Sequence, residues 1–60
     1  MEIKSTHKGK TVKTVVIAAA NEADALTHAM RHMGETPGSL FGHSVTQDHD
    51  GIFTVKLFTD

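Results

Sequence analysis

The chain has 60 residues, a formal net charge of −1 and no cysteine. That length holds one domain, residues 1–60, and a domain this small buries only about 60% of its unfolded surface. Disulfides and thiolate metal sites are excluded. No apolar run approaches the ~20 residues of a membrane-spanning helix, and the opening Met1-Glu2-Ile3-Lys4 lacks the apolar stretch of a signal peptide. A soluble, cytoplasmic protein is expected, one that gains stability by association because it has no covalent staple.

Taken in chain order, the first element is a hairpin. Strand 1 is expected over about Glu2–His7 and strand 2 over about Lys10–Ala19, around the turn His7-Lys8-Gly9-Lys10. A two-residue Lys8-Gly9 loop sets Thr6 opposite Thr11, Lys4 opposite Lys13 and Ile3 opposite Thr14. Ile3, Ser5, Val12, Thr14, Val16 and Ala18 then share one face. Lys4, Lys13, Val15 and Ile17 share the other.

Asn21 is a good N-cap, with Asp24 at the third helical position. The apolar spacing that follows predicts a helix over Asn21–Met33, with Ala23, Leu26, Met30 and Met33 toward the core and Ala29 at the margin. Asp24, His28, Arg31, His32 and Glu35 point the opposite way. Gly34 suits the left-handed residue after a helix, and Pro37 prevents continuation.

Strand 3 is expected over about Leu40–Gln47 and strand 4 over about Ile52–Thr59. A three-residue loop, His49-Asp50-Gly51, puts Gly51 in the left-handed region beside a bulge. It pairs Val45 with Val55, His43 with Leu57 and Gln47 with Phe53. Phe41, Val45, Phe53, Val55 and Leu57 then face the helix. The whole reads as an α+β domain of ββαββ form, a four-stranded antiparallel sheet with one helix packed on one face. Either strand 3 beside strand 1 or strand 4 beside strand 2 makes the sheet fully antiparallel.

One helix covers one sheet face, so apolar residues on the other face are the main clue to function. In these registers the open face carries Val15, Ile17, Ile52 and Phe58, rimmed by Lys4, Lys13 and Lys56. A contiguous apolar patch on an open antiparallel face implies an interface, and the simplest partner is a second copy, sheet on sheet or edge to edge. The lysines would steer an acidic partner protein.

Charge is uneven. Lys4, Lys8, Lys10 and Lys13 against Glu2 give residues 1–13 a net +3, while Arg31 and Lys56 against six acids give the rest −4. The first hairpin is therefore a basic ribbon. Nucleic-acid binding through Lys4, Lys8, Lys10 and Lys13 is the alternative reading, although the chain has no Tyr or Trp to stack on bases.

The five histidines invite a metal reading. His28 and His32 stand four apart with Asp24 one turn earlier, a spacing that lets side chains grip one ion. Without a clear third ligand the stripe reads as a solvated helix face, and no metal or other cofactor is expected. His43 is expected at the sheet margin, and His7 and His49 in turns. No catalytic set is visible: Asp48 and Asp50 flank a turn, where Asp is favoured for backbone bonding, and Ser5, Ser39 and Ser44 have no evident base. A protein that is not an enzyme is expected.

The segment Val16-Ile17-Ala18-Ala19-Ala20-Asn21-Glu22-Ala23-Asp24-Ala25-Leu26 resembles a strand-to-helix junction that follows a hairpin in several very small domains. Among these are small phage-encoded inhibitors of host enzymes, including inhibitors of bacterial RNA polymerase. An archaeal large-subunit ribosomal protein has a similar outline but is much more basic. The resemblance covers roughly residues 2–34 and carries over no functional residue. It implies a small accessory binder, an inhibitor or adaptor of a phage or mobile element, that acts by occupying a partner's surface.

Overall fold

The computed structural model describes residues 2–59. Its elements are β1 (Glu2–Lys8), β2 (Val12–Ala18), α1 (Glu22–Met33), a short 3-10 turn at Pro37–Ser39, β3 (Gly42–His49) and β4 (Ile52–Phe58). The four strands form one antiparallel sheet in the order β1-β2-β4-β3, with the single helix packed on one face. This is the expected ββαββ architecture. Of the two fully antiparallel orders, the chain adopts the one with β4 beside β2, which leaves β1 and β3 as edges. Among the described residues no helix is long and apolar enough to cross a membrane.

The helix ends are set locally. Asn21 is extended (φ −158°, ψ 174°), and its side chain accepts a 2.9 Å bond from the Asp24 N–H. That satisfies one of the free amides of the first turn. At the other end Gly34 takes φ 71°, and the Glu35 N–H reaches the Met30 carbonyl at 2.9 Å, so the chain reverses as a Schellman turn. An Asn21→Ala variant should lose about 1 kcal/mol. For a domain of this size that lowers the thermal midpoint by about 4–8 °C, read by circular dichroism.

The second hairpin keeps the expected pairing of Val45 with Val55, His43 with Leu57 and Gln47 with Phe53. Gly51 has φ 75°, and the ladder is interrupted between Gln47 and His49, where Asp48 is the extra residue. The first hairpin differs from expectation. Its tip lies at Lys10-Thr11, closed by the Gly9 N–H on the Val12 carbonyl at 2.8 Å, and Lys8 pairs with Lys13. A Cβ at Gly9 would sit 2.8 Å from that carbonyl oxygen, so the close approach requires glycine. The ladder slips between Ile3 and Ser5, which brings Ile3 opposite Ile17. In this register Lys8, rather than Lys4, stands opposite Lys13.

The core corrects the expected face of β2. Val15 and Ile17 are 0% exposed and lie under the helix with Phe53, Val55 and Leu57, so they are not on the open face. The cause is non-local: β4 pairs with β2 so that Val15 meets Val55 and Ile17 meets Phe53, and the two heavier apolar rows combine on one side. The helix is also rotated from expectation. Ala25 and Ala29 are fully buried beside Met33, Leu26 and Met30 pack at the flank, and Ala23 is exposed. A sheet face already filled by Ile17, Phe53 and Leu57 admits the helix only where its side chains are small. Phe41, expected in the core, is 78% exposed.

Candidate protein-binding face

Because side chains alternate along a strand, burying Val15, Ile17, Phe53, Val55 and Leu57 turns the intervening residues of the two central strands outward. The open face is therefore built on Val12, Thr14, Val16 and Ala18 of β2 and Ile52, Thr54, Lys56 and Phe58 of β4. Cross-strand pairing sets Val12 against Phe58, Thr14 against Lys56, Val16 against Thr54 and Ala18 against Ile52. Apolar side chains thus occupy both ends of the central pair, with the threonines and Lys56 between them. Lys56 is exposed and the others are partly exposed. The outer strands are more polar here: Ser5 pairs with Val16, His7 with Thr14, Ser44 with Lys56 and Thr46 with Thr54.

Two local features shape this face. Phe58 pairs with Gly42, and its Cδ2 atom lies 3.7 Å from where a Gly42 Cβ would be, so the ring leans over the neighbouring strand at ordinary contact distance. The extra residue at the β3 bulge, Asp48, accepts a hydrogen bond from Thr54 Oγ1, which ties the far end of β3 to the middle of β4.

Of the expected contact residues, Ile52 and Phe58 are on the open face and Lys56 stands exposed beside them. Val15 and Ile17 are in the core. Lys13 lies on the helix side, where its Nζ is 3.3 Å from Glu35 Oε1 with both side chains largely buried (25% and 13% exposed). Lys4 sits at the β1 irregularity and pairs with Glu2 at 3.2 Å. The expected rim of three lysines therefore reduces to Lys56. Lys13→Ala would leave Glu35 without its cation and lower stability by about 1 kcal/mol. It should leave the solution mass unchanged, as urea unfolding and light scattering can check together.

Sequence reasoning missed Val12 and Val16. The available signal was the phase of β4: its strong row of Phe53, Val55 and Leu57 calls for the stronger row of β2, Val15 and Ile17, on the same side. The basic hairpin sets Lys8 opposite Lys13 with Lys10 at the tip, and leaves Lys4 toward the other end of β1. Lys4 and Lys13 are each paired with a carboxylate, whereas Lys8 and Lys10 are exposed and have no ion pair among the described residues.

The histidine stripe is partly engaged. His32 Nε2 lies 3.0 Å from Thr6 Oγ1, joining the end of the helix to β1, and His28 is partly buried. Among the described residues no group of three or more His, Asp or Glu is close enough to hold a metal ion. Comparison with protein-family models, with curated proteins and with solved structures finds no match to this chain.

Proposed function

We propose that this chain is a non-catalytic protein-binding module, a small inhibitor or adaptor that works by occupying a protein surface and is itself homodimeric through its open sheet face. The observation that carries the reading is the apolar content of that face. Val12, Val16, Ile52 and Phe58 lie on the two central strands, and no element among the described residues covers them. Threonine, serine and charge would be the ordinary lining of a solvated antiparallel face.

The dimensions suit a small interface. Seven-residue strands are about 24 Å long, and four strands are about 19 Å across. Two such faces stacked together approach the ~1,000 Å² of total buried area that a specific interface needs. Association also answers the stability problem of a 60-residue chain without disulfides. The resemblance of residues 2–34 to the hairpin and helix of small phage-encoded inhibitors is the ground for an accessory role in a phage or mobile element, with a host protein as the second partner. Light scattering over a concentration series tests the self-association. The expected mass is twice the 6.5 kDa of the single chain, and a mass of one chain at every concentration would contradict the dimer.

Exposed Lys8 and Lys10 at the tip of the first hairpin favour nucleic-acid binding as the second reading. It predicts affinity for a DNA duplex that falls steeply with salt and is lost in the Lys8→Ala/Lys10→Ala variant. Binding that is absent at low salt removes it.

A further inference from the structure

A second surface lies on the other side of the sheet, at the β3 edge, and it goes beyond the open-face reading. Between α1 and the start of β3 is an open groove of about 380 Å³, lined by Leu26, Met30, Leu40, Phe41, Gly42 and His43. Its volume falls within the ~300–1,000 Å³ typical of ligand sites, and its walls carry no Lys, Arg, Asp or Glu. Phe41, on its rim, is the large hydrophobic residue the described chain leaves most exposed, at 78%.

The groove adjoins an edge strand. β3 pairs only with β4, so along Gly42–His49 alternate backbone N–H and C=O groups face outward without a strand to bind. The two edges of the sheet are defended differently. β1 carries Glu2, Lys4 and Lys8, and its ladder is broken near its middle, between Ile3 and Ser5. Charge and irregularity of that kind discourage further pairing. β3 has no lysine, arginine or proline, and its irregularity comes at the far end, at Asp48, leaving Gly42–Gln47 regular.

We infer that the β3 edge is a strand-addition site for an extended, uncharged peptide segment of another protein. The outward backbone groups of Gly42–Gln47 would pair with the peptide main chain. Every second peptide side chain would then project to the helix side. An apolar one placed near Gly42 enters the groove between Leu26, Met30 and Phe41. The backbone requires an extended partner, and the apolar groove selects an aliphatic or aromatic anchor. Met30 adapts to either, because a thioether chain has several rotatable bonds and makes favourable contacts with rings.

The test uses the full chain and a phage-displayed library of random dodecapeptides. Selection should enrich sequences with an apolar anchor in an otherwise alternating, uncharged stretch. A fluorescent copy of the best peptide should bind the full chain, and Phe41→Ser should weaken it by about tenfold or more. Since Phe41 is 78% exposed, that variant keeps its core. The decisive arm is backbone methylation. N-methyl groups on one alternate set of peptide amides should abolish binding, and those on the other set should leave it intact. Equal tolerance of both sets, peptides that bind Phe41→Ser as well as the parent, or no enrichment at all would overturn the inference. Phe58→Glu separates the two surfaces: peptide binding should survive in that variant even where dimerisation is lost, and peptide binding lost together with the dimer would also count against a separate β3 site.

Discussion

Ile17→Ala should unfold the chain. Ile17 is among the largest fully buried side chains, at 0% exposure, packed among Val15, Phe53, Val55 and the helix alanines. Truncating a buried isoleucine to alanine costs about 2–5 kcal/mol, from lost transfer energy and the cavity left behind. A single core in a chain this short rarely supplies more than about 3–5 kcal/mol in total. The two quantities match, so circular dichroism should show either no cooperative melt or a midpoint lowered by about 10 °C or more. Were Ile17 on the solvent side of the sheet, the same change would cost within about 0.5 kcal/mol. The substitution therefore reads directly which face of β2 the helix covers.

Phe58→Glu should do the opposite: keep the fold and lose the dimer. Phe58 is partly exposed at the end of β4, paired with Val12 on one side and Gly42 on the other. Glutamate there removes some cross-strand packing, a cost of about 1 kcal/mol. In a stacked dimer each copy would bring a carboxylate into the apolar contact between Val12 and Phe58, where the face offers only Lys56, paired with Thr14, as a cation. Burying a charge that is left unpaired costs about 3–5 kcal/mol, which corresponds to a dissociation constant raised more than about a hundredfold. Light scattering should then give the mass of one chain while circular dichroism keeps its folded spectrum. Val16→Thr, which keeps the β-branched shape at the centre of the face, should weaken association in the same direction. A Phe58→Glu chain that stays dimeric would place the contact elsewhere.

Where the sequence was decisive, the signals were local and single-phased. Asn21 and Gly34 mark the helix ends through their own hydrogen bonding and dihedral angles. In the second hairpin only one alternating row is strongly apolar, Phe53, Val55 and Leu57, so its register followed from pattern alone. β2 is different. Val12-Lys13-Thr14-Val15-Val16-Ile17-Ala18 has apolar residues in both phases, and the choice of face is made by β4, which lies more than thirty positions away in the chain. The slip near Lys4 was equally hidden, since no glycine or proline announces it, yet it moves Ile3 to the side of Ile17.

The same physics explains the candidate site. Choosing the wrong phase for β2 exchanged Val15 and Ile17 for Val12 and Val16, while Ile52 and Phe58, on the strand read correctly, were identified from the start. The helix rotation has a related origin: alanine contributes little to a hydrophobic pattern, but Ala25 and Ala29 are the residues small enough to let the helix rest on a crowded sheet. Phe41 is the reverse case. Its apolar side chain suggests the core, but it precedes β3 at the edge of the sheet, where an open groove separates it from Leu26 and Met30 of the helix.

The most direct test of the open-face account is a two-dimensional NMR spectrum recorded over a dilution series, with the methyl and aromatic signals assigned. The account predicts that dilution moves the signals of Val12, Val16, Ile52 and Phe58 while those of Ala23, Thr27 and Phe41 stay fixed. Shifts confined to the helix surface or the β3 edge, with the open face unchanged, would contradict it.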